Sequence, residues 1–318
     1  MKIIYLLLMT SLFVSCSTVR NTVVGLTSDV MHKGAYELET ERSWEVFNDA
    51  IAGNLKMLEG LWYVDQDNEE LLVDLTKGYS GYAFGIHETL YLDDLYKDND
   101  SETHKNLAIY SYSKAVSYGM KFLEEKGIKQ NDLLTKMKED NGVVKLLEEE
   151  LSDSDDDVQA VFYLGNALGG LINLQKKNMK MLSQLTIVKG MFDWACSKQA
   201  DIQFGACDAF YGAYEAGRPK MLGGDIEKGK EFFLQAIKKH PTALLNRVMF
   251  IQFYVIPMSD EDIYEEQSSI LKAEFEKFEK SKNWAHGFEG YGEKHAALLN
   301  AIAKKRFEII EKNKDELF

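Results

Sequence analysis

The sequence predicts an all-α fold built as an array of helix pairs, on three observations. Only three prolines occur, Pro219, Pro241 and Pro257, so the first 218 residues contain no proline to break a helix. Leu, Lys, Glu, Ala and Met are abundant, and the strict apolar/polar alternation of half-buried strands is hard to find. Small and large residues also recur at the spacing expected when helices stack in pairs.

The N-terminus has a separate logic. Met1 and Lys2 precede an apolar run from Ile3 to Val14, which closes as Phe13-Val14-Ser15-Cys16. A charge, a short apolar run and a small residue before the cut are the signature of a bacterial secretion signal. A membrane span needs roughly 20 apolar residues, so the run is too short for a permanent anchor. A cysteine directly after a small residue resembles a lipobox, with Phe13 where Leu is usual, and makes Cys16 the expected lipidation site. A plain signal peptide with a coincidental cysteine is the alternative. The expected division is residues 1–15 as signal peptide, 16–45 as lipidated cysteine with a tether and short helix, and 46–318 as one helical domain. Stable anchoring takes about two hydrophobic signals, which more than one acyl chain would supply. Ser17 after the cysteine, in place of Asp, favours the outer membrane over the inner.

Within the body, the pattern is that of cryptic tetratricopeptide-like pairs, each about 34 residues of two antiparallel helices. Asn54, Leu58, Leu61 and Gln66 read as an unpaired second helix that opens the array. Leu72, Leu75, Thr76 and Tyr79 form a first helix, followed after a long insert by Ala108, Tyr112 and Ala115. Val161, Leu164, Gly165 and Leu168 form the next, paired with Val188, Phe192 and Ala195. Ala206, Ala209, Phe210 and Ala213 then precede the clearest member, Gly229, Phe233 and Ala236 closed by Pro241. Asp225 caps the helix starting at Ile226, and Gly223-Gly224 permit the turn before it. Residues 293–318 make a closing amphipathic helix over the last apolar face.

A net charge of −14 argues against nucleic acid and against electrostatic docking on anionic lipid. Asp153, Asp155 and Asp157 alternate as in a calcium loop, but Val158 and Leu164 stand where Gly and Glu would be required. The aspartates are read instead as caps of a helix beginning near Val158. Six histidines are scattered without zinc-ligand spacing, and no GxSxG, GxxxxGK or GxGxxG occurs, so neither a metal, a cofactor nor a catalytic centre is expected. Cys196 and Cys207 lie about symmetrically around a helix–helix turn. A disulfide is one outcome; the roughly 8–10 Å between neighbouring helix axes, against the roughly 7 Å Cα limit of a bridge, favours two buried thiols.

Tyr79, Tyr82, Phe84, Tyr163, Asn166, Tyr211, Tyr214 and Arg218 are the candidate ligand, pore or partner-facing residues. Their aromatic clusters are interleaved with glycines that leave room for rings to line a channel, although aromatic filling of a core explains the same pattern. Arg218 is the residue that the Gly-Gly-Asp turn leaves unexplained.

GYSGYAFG, VFYLGNALGG, FYGAYEAGRPKMLGGDIEKGKEFFLQAI and LLNAIAKKRFEIIEKNKDELF, in that order, resemble the T-component lipoproteins of TRAP transporters over nearly the whole mature chain. That resemblance implies a non-enzymatic envelope lipoprotein facing the periplasm, paired with the substrate-binding protein of a TRAP system. It further implies a trimer with apolar pores that hold or pass a small hydrophobic ligand, such as an organic acid. The inserts at 93–103 and 136–157, and the cysteine pair, depart from the family pattern. A tetratricopeptide scaffold lipoprotein binding peptides in an open groove is the alternative function.

Overall fold

The computed structural model describes residues 16–99, 101–281 and 290–318, and among them every regular element is helical. The signal peptide expected at 1–15 lies outside the described residues. The segment after it holds a helix longer than the short one expected, α1 (Cys16–Ala35), followed by a 3-10 turn at Leu38–Thr40. Next is α2 (Trp44–Val64), started by the Ser43 hydroxyl, which accepts from the Val46 amide at 3.3 Å. Asn68 starts α3 (Glu69–Tyr82), which runs through a π-helical turn at Ala83–Glu88 into α4 (Thr89–Tyr96).

Four helices follow: α5 (Thr103–Glu125), α6 (Gln130–Lys136), α7 (Gly142–Glu150) and α8 (Asp155–Leu174). The α8 cap differs from the aspartates expected. Ser154 takes the role, accepting from the Asp157 amide at 3.2 Å, and Asp155, Asp156 and Asp157 fill the first turn. Asp157 also accepts from the Ser152 amide at 2.8 Å, which closes the loop before α8, while Asp155 accepts from the Tyr36 hydroxyl at 2.6 Å. Beyond the short α9 (Met179–Leu182) come α10 (Leu185–Lys198), α11 (Ala206–Ala216) and α12 (Ile226–Lys239), the last capped by Asp225 as expected.

The next helix, α13 (Leu245–Phe250), passes through a second π turn at Ile251–Val255 into α14 (Ile256–Met258). Pro257 explains that turn, because it has no N–H for the carbonyl four residues back and its ring crowds that carbonyl. The chain ends with α15 (Glu261–Lys280), α16 (Ala297–Lys312) and α17 (Lys314–Leu317).

Packing follows the predicted positions. Leu72, Leu75, Thr76, Tyr79, Ala108, Tyr112, Ala115, Val161, Leu164, Val188, Phe192 and Ala195 are all buried, and they come from α3, α5, α8 and α10. Phe233 and Ala236 are buried where α12 meets α11, and a Cβ at Gly212 would overlap the Phe233 ring. The opening helix uses another register: α2 buries Trp44, Phe47, Ile51 and Leu55, whereas Asn54 and Gln66 are exposed. The closing helix α16 does more than cover an end. Its Ala297, Ala301 and Ile302 enter the core of the N-terminal half, and its Ala303, Phe307 and Ile310 enter that of the C-terminal half.

Cys196, near the end of α10, and Cys207, near the start of α11, are joined by a disulfide, with Cα atoms 5.9 Å apart. This corrects the preference for thiols. The 8–10 Å spacing belongs to helix axes, and a Cα lies about 2.3 Å off its axis, so two facing Cα atoms sit up to roughly 4.6 Å closer than the axes do. Because the bridge closes a chain separation of 11 residues, its reduction should lower stability by about 2–3 kcal/mol. Urea unfolding of the wild type and of the Cys196→Ser/Cys207→Ser variant measures this, and identical midpoints would contradict it.

The first helix is clamped by charge. His32 Nδ1 lies 2.9 Å from Asp74 and Nε2 lies 3.1 Å from Asp156. Hydrogen bonds to Asp156 and Asp74 outweigh burial and raise the His32 pKa to about 10. The clamp is therefore fully present below the ordinary imidazole pKa of about 6.5 and is lost as pH rises through about 10. Limited proteolysis should cut at the α1 junction faster at pH 10 than at pH 7, and His32→Ala should cut fast at both; a pH-independent wild-type rate would count against the clamp.

Candidate apolar ligand cavity

The helices line an open-mouthed cavity of about 1740 Å³. One wall is α8, through Phe162, Tyr163, Asn166, Gly169 and Gly170, and another is α2, through Phe47, Ala50 and Leu58. Phe210, Ala213 and Tyr214 of α11, Met249 and Phe253 around the second π turn, and Leu298, Leu299 and Ile302 near the α16 start complete it. Small residues leave room along the lining: a Cβ at Gly81 would meet nothing within 4 Å and one at Gly169 only Val188 at 3.5 Å, and Ala209 and Ala213 add no more than a methyl each. Apolar walls offer water few partners, so such a space favours an apolar occupant.

Beneath Phe84 sits a buried ion pair. The Arg306 guanidinium is fully buried, stacks 3.8 Å from the Phe84 ring centre and lies 3.3 Å from Glu88. It donates to the Phe84 carbonyl at 2.9 Å, to Thr89 Oγ1 at 2.9 Å and to Gln252 Oε1 at 3.0 Å. Phe84 lies in the first π turn and Gln252 in the second, so one side chain pins both. The second Glu88 oxygen accepts from the Tyr112 hydroxyl at 2.6 Å, and burial followed by the Glu88 charge pushes that phenol well above its ordinary pKa. Glu88 and Tyr112 both reach the cavity wall.

Two other charged side chains of the lining, Lys77 and Arg218, are paired. Lys77 pairs with Glu39 at 2.6 Å and lies 5.6 Å from the Tyr163 ring centre. Burial, with Glu39 and Asp155 nearby, raises the Tyr163 pKa and keeps the phenol neutral. Arg218 is engaged: it donates to Glu215 at 2.8 Å and to the Tyr214 carbonyl at 3.0 Å, and stacks 3.7 Å over the Tyr214 ring.

A model of the TRAP transporter T-component family matches residues 40–318. The chain belongs to that family. It is thus an accessory component of a TRAP transport system, as the sequence resemblance implied. No curated protein matches the sequence. Among the described residues no group of three or more His, Cys, Asp or Glu could hold a metal, and no helix is long and apolar enough to cross a membrane.

Of the residues singled out in this T-component, Phe84, Tyr163, Asn166, Tyr214 and Arg218 meet on the cavity wall. The other three serve the packing around it. Tyr79 donates to Glu59 at 2.9 Å, Tyr82 packs 4.4 Å from the His87 ring, and Tyr211 donates to Asp193 at 2.8 Å. Missed in the sequence were Leu298, Leu299 and Ile302. The signal available was the breadth of apolar surface on α16, which exceeds what a helix covering one face requires.

Two adjacent glycines give opposite predictions. A Cβ at Gly169 meets only Val188 at 3.5 Å, so Gly169→Leu should fold with equal or greater stability, by up to about 1 kcal/mol. The added side chain should weaken binding of an apolar fluorophore such as N-phenylnaphthylamine at least about tenfold, or about 1.4 kcal/mol. A Cβ at Gly170 overlaps the Tyr112 ring, so Gly170→Ala should detach Tyr112 from Glu88 and cost about 1–3 kcal/mol. Thermal melts and fluorophore titrations of both variants test the pair.

Proposed function

We propose that this T-component is a non-enzymatic lipoprotein, anchored through Cys16 and facing the periplasm, that docks the substrate-binding protein of its TRAP system. Its cavity holds or passes a small hydrophobic ligand on the way to or from that partner. The observation that carries this reading is the cavity itself. At about 1740 Å³ it exceeds the roughly 300–1,000 Å³ usual for small-ligand sites, and its walls come mostly from apolar residues. Charge on the lining is neutralised in pairs, Lys77 with Glu39 and Glu88 with Arg306, which suits an organic acid that buries its hydrocarbon against the apolar walls and keeps its carboxylate at the edge.

A peptide-binding scaffold is less well supported. An extended peptide needs partners for its backbone amides, and the walls offer few. A trimer, with the anchor in the outer membrane, accords with the family and with Ser17. Copurification from native membranes should recover a TRAP solute receptor, and organic extraction of the purified protein should release a hydrophobic acid. Repeated recovery of only pilus or outer-membrane assembly proteins, with an empty extract, would sink the proposal.

A further inference from the structure

The first helix carries an apolar face that none of the described residues covers. Val23, Leu26 and Val30 of α1 are 57%, 67% and 69% exposed. Their spacing of three and four residues places them in one stripe along the helix. The opposite face is fastened to the body: Val24 and Ser28 are buried, and His32 sits between Asp74 and Asp156. The stripe is thus held outward by a helix that is itself anchored. We propose that it lies in the headgroup region of a lipid bilayer, so that α1 is a second, interfacial attachment beside the acylated cysteine.

Three observations favour a bilayer as occupant. Cys16, the residue whose acylation the proposed function assumes, is the first residue of α1, so the helix would start at the lipid–water boundary. The polar margin of the stripe is electrically neutral, with Lys33 paired to Asp29 at 2.6 Å, which suits zwitterionic lipid. A second copy is the poorer fit, because two chains of net charge −14 repel and the charges beside the stripe, Lys33 and Asp29, already pair with each other within the helix. The acyl chains on Cys16 hold only the start of the helix, and the stripe adds an apolar contact along its length.

The arrangement also aims the cavity. Met31, Gly34 and Ala35, in the last turns of the same helix, belong to its wall. At 1.5 Å per residue, Gly34 stands about 12 Å along the helix from Leu26. A bilayer-bound α1 therefore holds that side of the cavity close to the membrane surface, where apolar compounds partition.

The test uses the full chain carrying Leu26→Trp, bound to vesicles of phosphatidylcholine with brominated acyl chains, and a Tyr63→Trp control on an exposed position of α2. The emission that each substitution adds is read as the difference from the wild type, which removes the native tryptophans. The proposal expects the indole introduced by Leu26→Trp to be quenched by bromolipid at least about twofold, and the one introduced by Tyr63→Trp to be unchanged. Mass spectrometry of the same preparation reads the acyl group on Cys16 separately. Quenching without an acyl group sustains the helix contact while removing the anchor from the proposed function. An acylated protein that floats with vesicles but shows no quenching in the Leu26→Trp chain overturns the inference and leaves the anchor standing. Absence of both overturns both. Shielding of the same introduced indole from iodide that rises with protein concentration without lipid assigns the stripe to a second copy and likewise overturns the inference.

Discussion

Burying Arg306 imposes the constraint on which the rest of the molecule depends. An isolated guanidinium in an apolar interior costs many kcal/mol, so every donor must find an acceptor. Here the acceptors are Glu88, Thr89, Gln252 and the carbonyl of Phe84. That carbonyl lies in a π turn, where the wider hydrogen-bond pattern leaves backbone oxygens for side chains to use. Trp44 takes the neighbouring one, donating to the Gly85 carbonyl at 2.7 Å. Irregular helix and buried charge thus satisfy each other, and α16 is locked against both halves of the array.

The cavity follows from this lock. Phe84 is held by the guanidinium on its face, and Tyr112 is held by Glu88, so two rings of the wall are fixed from behind. Glycines then decide which space remains open. Gly170 is needed to admit the Tyr112 ring, whereas Gly169, one residue away, faces open volume. The same residue type serves close packing at one position and emptiness at the next. The disulfide adds a third tie, joining α10 of the N-terminal core to α11, which carries Phe210 stacked 3.6 Å from Phe192 at the cavity edge.

Legibility in the sequence followed how far a pattern leaves a side chain only one place to go. Local signals read well. Asp225 caps α12, the small and aromatic positions of α3, α5, α8, α10 and α12 are buried, and the helical class follows from composition and sparse proline. Readings failed where a side chain had to choose among several partners, whether a few residues away or across the core. Ser154 displaced the aspartates as cap because Asp157 was drawn back to Ser152, and α2 rotated to bury Phe47 and Ile51 against the closing helix side of the core. Arg218 looked available only because its partners, Glu215 and the Tyr214 ring, cannot be told from solvent-facing neighbours in a linear string.

By itself, the sequence determined the helical class, the positions of most helices, the membership in the T-component family and the expectation of a lipid-modified N-terminus. Each of these depends on spacing within a few turns, or on a pattern shared along the chain. Tertiary structure alone decided the disulfide, the two π turns joined through Arg306, the sorting of eight candidate residues into five on the cavity wall and three in the packing around it, and the outward stripe on α1. The physical reason is distance along the chain. Arg306 and Thr89 are 217 residues apart in sequence and 2.9 Å apart in space, a relation that no local periodicity records.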